Sequence, residues 1–350
     1  MNLQVKILAI GLLFSLSISS CKKDKVEPPT TPSVTALNIQ PGDGVFITDE
    51  GTFQAGNAKL SFYNFTSGNS TEDLFSQVNS VPLGDVCQSL TTFNGKTYIV
   101  VNNSGKIEVV ATTTFAHQHT ISGFSSPRFI LPVSSTKAYV SDLYANAISI
   151  VNLSNDTRTG SFAFPGESEA MVMIGSEVFV SSTDKGFVYV VNPTTDLVTD
   201  SIPVAKGGNS LQVDNNGKLW VLCFGDYATS APGGLYKINP TNHTVELSLP
   251  LTTSDYATKL CANAAKDTLY YLNYSVYKMA SSNISLPATP FITASTQSFY
   301  AIGIRPSNGE VFVSDAVNYT SNGRLYRYSL AGILLDDDLV GICPGEIYFY

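Results

Sequence analysis

The chain has little of what most catalytic and metal sites are built from. Its three histidines are His117, His119 and His243. The first two fall on one face of an expected outer strand and the third in the turn Asn239-Pro-Thr-Asn-His243, so solvated edge and turn positions explain them better than a metal site. No Gly-x-Ser-x-Gly elbow, phosphate-cradling glycine loop, Cys-x-x-Cys pair or EF-hand loop is present, and no catalytic residue, cofactor or metal is assigned. Asp336-Asp337-Asp338 reads as a solvated turn, because three consecutive acids cannot all face one ion. Charged residues make up only 14% of the chain, the net charge is −8 and the pI about 4.9; the only basic run is Lys22-Lys23. That leaves no basic surface for a polyanion and excludes nucleic acid as a partner. No apolar segment is long enough to span a bilayer, since Ile7–Ile18 offers twelve residues where about 20 are needed.

What is there begins with export. Lys6 precedes that short apolar run, which is the layout of a signal peptide over residues 1–20. Ile18-Ser19-Ser20-Cys21 then resembles a lipobox, in which the cysteine receives a diacylglyceryl thioether before cleavage in front of it. The resemblance implies Cys21 as the lipidation site and membrane contact through the lipid anchor only, with two or three acyl chains for stable attachment. Residues 21–42, with Pro28, Pro29, Pro32 and Pro41, read as an extended tether.

Hydrophobic residues make up 43% of the chain, and its 19 Phe and 18 Tyr suit strands better than helices. Residues 43–350 repeat. Phe46, Tyr98, Tyr139, Phe179, Trp220, Tyr270 and Phe312 occupy the same point of a short β-rich run, at intervals of 52, 41, 40, 41, 50 and 42 residues. Turns such as Asn94-Gly95, Asn216-Gly217 and Asn308-Gly309 join each run to a preceding strand. Two further strands complete each unit, as in Gly186–Asn192 and Leu197–Pro203, and no segment shows a convincing helical period. Seven such units predict an all-β, seven-bladed propeller with four antiparallel strands per blade. Glu346–Tyr350 lacks a following aromatic strand and Val45–Thr48 lacks a preceding one, so the C-terminal strand is expected to complete the N-terminal blade.

Phe187-Val-Tyr-Val-Val-Asn-Pro-Thr-Thr-Asp, leading into Asn215-Asn-Gly-Lys-Leu-Trp-Val, resembles the YVTN and YncE-like propeller repeat, over roughly residues 44–350. With the lipobox, the chain resembles the surface lipoprotein propellers of Bacteroidetes. The resemblance implies a protein exported and anchored to the bacterial outer membrane, exposed at the surface. Some members of that group capture cobalamin for a TonB-dependent transporter; no ligand motif here carries that identity over.

Cys87, Cys223, Cys261 and Cys343 allow three complete disulfide pairings or four buried free thiols. Cys87 and Cys343 occupy matching places at the first strands of neighbouring blades and are the pair to examine first. The site itself is expected on the propeller face with long connections, notably 50–58, 224–234 and 316–323, because long loops cost stability and imply use. Tyr144, Tyr227, Tyr256, Tyr274, Tyr300 and Tyr319 fall in or beside these loops, with Arg128, Glu167, Lys206, Asp226 and Asp255 in the same connections. The expected function is binding of a small-molecule ligand or an outer-membrane transporter by a monomeric, non-catalytic propeller. The alternatives are a lactonase- or quinoprotein-type enzyme and a structural or adhesive surface protein.

Overall fold

The computed structural model describes residues 37–350. The expected leader, the Cys21 anchor and the tether as far as residue 36 lie outside the described residues. Residues 37–42, expected as the end of the tether, are packed: Ile39 is buried and its N–H donates to the Thr113 carbonyl at 2.8 Å.

Seven antiparallel sheets form seven blades. Blade 1 combines the C-terminal strand Pro344–Phe349 with Gly44–Asp49, Lys59–Asn64 and Asn69–Thr71. Blade 2 holds Cys87–Phe93, Lys96–Val101, Lys106–Ala111 and His117–Ser122. Blades 3, 4 and 5 repeat that plan from first strands Pro127–Pro132, Ser168–Ile174 and Gly208–Val213. In blade 7, Phe299–Ile304 leads to Val311–Asp315, Asn322–Tyr328 and the outer strand Leu334–Ile342. Blade 6 has Ala257–Ala262, Thr268–Asn273 and Ser275–Ala280, with an irregular segment in place of a regular outer strand, paired only between Val276 and Ile292. Pro287 and Pro290 in that segment lack the N–H groups a ladder needs. The first strands touch their neighbours in a closed ring around the axis, and Val45–Thr48 pairs with Glu346–Phe349 to complete it.

The core lies between blades. All seven repeat aromatics are buried, at 0–1% exposure. Tyr98, Val100 and Val109 of blade 2, for example, pack against Ile130, Val140 and Val151 of blade 3. A polar clamp reinforces this packing: the Tyr98 hydroxyl donates to Asp156 at 3.0 Å, and Lys96 pairs with the same carboxylate at 2.6 Å. Tyr139 and Lys137 repeat the pattern with Asp196. His243 occupies the matching turn position in blade 5. It is not the solvated turn residue expected from sequence: its ring bonds Asp200 at 2.7 Å and Glu177 at 3.2 Å, edge-on to Phe179. His117 and His119 do sit on the exposed outer strand of blade 2, where His117 bonds Glu108 at 3.0 Å.

One further expectation changes, and the structure adds two points. A six-residue helix, Leu74–Asn79, links blades 1 and 2 and buries Leu74 and Phe75; it is too short for a helical period to show. Asp336, Asp337 and Asp338 form part of the outer strand of blade 7, not a turn. Asp336 accepts the Tyr63 hydroxyl at 2.9 Å and Asp338 the Ser70 N–H, which latches blade 7 to blade 1. All four described cysteines are free, so Cys87 and Cys343 are not bonded.

Candidate functional site

Each first strand begins close to the axis and carries a β-bulge near its start. Register shifts fall between Cys87 and Ser89, Pro127 and Ile130, Ser168 and Met171, Gly208 and Ser210, Thr258 and Cys261, and Phe299 and Ala301; blade 1 has one at Gly345. A bulge turns an extra side chain out of the alternating pattern, and here it does so once per blade around the channel mouth. The residues so presented include Gln88, Arg128, Glu169, Asn209, Lys259 and Tyr300, and all line one cavity of about 1240 Å³.

These side chains bond to one another. Arg128 makes a two-pronged contact with Glu169, 2.7 Å on each arm, and its third nitrogen donates to Gln88. Burial opposes the Arg128 charge, but the Glu169 carboxylate outweighs it and raises the guanidinium pKa. Tyr300 donates to Glu50 at 2.9 Å, and Lys259 donates to the Gly345 carbonyl at 2.6 Å with its ammonium 6.0 Å from the Tyr300 ring. Burial and the adjacent Glu50 drive the Tyr300 pKa far above its ordinary value. Glu346 accepts the Leu90 N–H at 2.9 Å, and burial pushes its carboxyl up to about 7.

Above this floor the long connections are braced by an acid or amide at the end of the second strand. The Asp142 carboxylate accepts the N–H groups of Ser126 at 2.9 Å and of Tyr144 and Ala145 at 3.1 Å. Asp315 holds Ser298 and Val317, both at 2.8 Å, and Asn273 holds the Tyr256 N–H at 2.9 Å. Such Asx contacts fix loop geometry locally. The connection 224–234 is not an open loop as expected: strands Leu219–Asp226 and Ala231–Asn239 run on through it as a hairpin. Gly233 permits this, since a Cβ there would lie 2.0 Å from the Cys223 carbonyl oxygen.

Of the tyrosines singled out from sequence, Tyr144, Tyr256, Tyr274, Tyr300 and Tyr319 line the large cavity together with Arg128 and Glu167. Tyr144 and Tyr274 are each 66% exposed, whereas Tyr300 is a half-buried wall residue. Tyr274 and Tyr319 have φ of 59° and 63°, the left-handed region, at tight bends of their loops. Tyr227 and Asp255 lie outside the large cavity, in a small adjoining one. Tyr227 stacks on Phe224 at 5.9 Å and meets Tyr256 at 5.5 Å, so it extends the aromatic rim. Asp255 is a loop brace, accepting the Thr252 N–H at 2.6 Å and the Asn273 amide at 2.7 Å. Lys206 and Asp226 pair with each other at 2.9 Å; neither lines the large cavity, and Asp226 lines the small adjoining one. Sequence reasoning missed Glu50, Gln88, Glu169, Lys259 and Glu346 as cavity residues. The signal for most of them was the polar residue near the start of each first strand. Among the described residues, no group of three or more His, Cys, Asp or Glu side chains is placed to hold a metal ion.

The closing blade makes stability pH-dependent. Asp49 is buried beside Ser61, which donates to it at 2.6 Å; burial nonetheless raises its carboxyl from 3.8 to about 7. Because the folded-state pKa lies above the unfolded one, the folded state holds the proton more tightly. Stability is therefore full below about pH 4 for this group and falls as pH rises to about 7. Glu346 acts in the same direction. Asp49→Asn is expected to be more stable than the parent at pH 8 by on the order of 2–4 kcal/mol, with the difference vanishing near pH 4, measured by urea denaturation.

Residues 43–331 match the family described as a domain of unknown function, DUF5074. The chain belongs to that family. No curated protein matches it. Among solved structures it is similar to a quinoprotein alcohol dehydrogenase-like protein from Bacteroides thetaiotaomicron, with 15% identity, a TM-score of 0.68, and 88% of this chain and 78% of that one covered. A protein of unknown function from Desulfotomaculum acetoxidans is similar at 10% identity and TM-score 0.66, covering 87% of this chain and 98% of that one. A putative 6-phosphogluconolactonase from Bacteroides uniformis is similar at 13% identity and TM-score 0.64, covering 88% and 100%. At these identities the likeness carries the propeller fold alone.

Proposed function

We propose that this DUF5074 propeller is a lipid-anchored protein of the bacterial outer-membrane surface that captures a ligand on its long-loop face, as nutrient capture for a transporter requires. The observation that carries the reading is the cavity itself: about 1240 Å³, floored by hydrogen-bonded side chains presented by every blade and rimmed by exposed tyrosines. Largely preformed cavities with apolar walls and a few placed polar groups are typical of ligand sites. The braced loops support this further, because a rim already ordered loses less entropy on binding. The test is mass spectrometry of small molecules retained by the purified protein. A stoichiometric retained species supports capture, and its absence in protein from cells grown on complex medium counts against it.

The anchor is tested separately. Cys21→Ala is expected to move the protein from the membrane to the soluble fraction and to remove the lipid mass, since no helix among the described residues is long and apolar enough to cross a membrane. Unchanged membrane retention contradicts the anchor.

One observation favours an enzyme instead. Glu346 holds a carboxyl near neutral pKa in the cavity wall, which suits general acid–base work. Neighbours named for lactonase and quinoprotein activities share the fold. Turnover of a sugar lactone that is abolished in Glu346→Gln would replace capture with catalysis.

A further inference from the structure

The charge of the cavity and the form of its aromatic rim narrow the ligand class, given the capture reading above. Four acids line it, Glu50, Glu167, Glu169 and Glu346, the last with its carboxyl pushed up to about 7 by burial, against two cations, Arg128 and Lys259. Arg128 is paired with Glu169 and also bonds Gln88, while Lys259 donates to the Gly345 carbonyl and keeps its charge. An anionic ligand would meet Glu50, Glu167 and a part-ionised Glu346 with Lys259 as the one cation not paired to an acid, and like-charge juxtaposition of that kind disfavours it. That argues against phosphorylated sugars and nucleotides.

At one side, Phe224, Tyr227 and Tyr256 form a shelf, with ring centroids 5.4–5.9 Å apart and planes inclined by 27–46°. Tyr227 is 70% exposed and Tyr256 37%, so ring faces remain open. The rings pack on one another, Tyr227 stacked on Phe224 and both tilted against Tyr256, with Tyr227 outermost by exposure. Exposed tyrosine rings suit flat C–H faces, and the amides, carboxylates and guanidinium that line the same cavity suit vicinal hydroxyls, which both donate and accept. The cavity exceeds the roughly 300–1,000 Å³ of ordinary small-molecule pockets, so it has room for several rings.

We propose that the cavity takes a neutral oligosaccharide, with sugar faces on the Phe224–Tyr227–Tyr256 shelf and hydroxyls on the polar floor around Gln88, Arg128 and Glu169. The experiment is an array of neutral oligosaccharides and their uronate, sulfated and phosphorylated counterparts, probed with the full lipoprotein in detergent and followed by calorimetry on any hit. Neutral members are expected to bind, their charged counterparts roughly tenfold or more weakly, with little salt dependence for the neutral ones. The Tyr227→Ala, Tyr256→Ala double variant is expected to lose more than roughly tenfold in affinity while still unfolding cooperatively, and the single Tyr227→Ala, at a 70% exposed ring, is expected to weaken binding with an unchanged unfolding midpoint. Preference for anionic members overturns the proposal, as does unchanged binding by the shelf variant. Silence across the neutral members, with a non-sugar molecule retained by the purified protein, overturns the sugar assignment and leaves capture standing. Silence with no retained molecule defeats both.

Discussion

Trp220→Ala is expected to cost about 3–5 kcal/mol, the usual penalty for deleting a large buried aromatic side chain. The ring is fully buried in blade 5, packed against Leu222, Leu235 and Leu269 at the boundary with blade 6. Its N–H donates to Asp214 at 2.9 Å and the Lys237 ammonium sits 5.3 Å from the ring centre. Truncation opens a cavity between blades and removes one donor from the buried Asp214 carboxylate, so the loss belongs at the upper end of that range. Trp220→Phe keeps most of the packing and is expected to lose less than half as much. Denaturant unfolding followed by circular dichroism measures both. In the parent protein, selectively excited tryptophan fluorescence reports this site alone, because Trp220 is the chain's single tryptophan. Strong quenching by aqueous iodide in the folded state would contradict its burial.

Arg128→Met is the second large effect. Glu169 is only 5% exposed, and its two oxygens depend on the Arg128 fork. Removing the cation leaves a buried carboxylate without its partner, at a cost of about 3–5 kcal/mol. Replacing both residues, as Arg128→Met with Glu169→Leu, removes the uncompensated charge and is expected to recover most of that stability. Binding should not recover with it, since both groups belong to the cavity floor. A double variant as unstable as the single would show that the pair is needed for packing alone. Recovery of both stability and binding would show that the floor plays no part in recognition.

The fold was legible because its signal repeats. Seven buried aromatics at intervals of 40–52 residues mark the blades, and Asn94-Gly95 adopts positive φ at both positions, as its hairpin turn requires. The site was half legible. Exposed tyrosines in long loops announce themselves by composition, and five of the six line the cavity. The floor did not announce itself, because the bulge at the start of each first strand breaks the alternation from which facing is read. Alternation alone gives Gln88 and Glu169 no defined side, and the register shifts at Cys87–Ser89 and Ser168–Met171 are what turn them toward the channel. Long-range partners were equally hidden. The Asp336–Asp338 run reads as a turn unless Tyr63 and Ser70, at the other end of the chain, are known to lie beside it. His243 likewise depends on Asp200 and Glu177 of the preceding blade.

The most direct test compares the two faces of the propeller in one binding measurement. The molecule retained by the purified protein, or the best oligosaccharide from the array, is titrated into three proteins: the parent, Tyr256→Ala with Tyr319→Ala, and Asn192→Ala with Asn239→Ala. The two asparagines close short turns on the opposite face, accepting the N–H groups of Thr194 at 2.8 Å and Thr241 at 3.0 Å. The tyrosine variant is expected to bind more than tenfold more weakly, at about 2 kcal/mol for each aromatic anchor, while the asparagine variant matches the parent. Parent-like affinity in the tyrosine variant, with binding lost in the asparagine variant, would place the site on the other face.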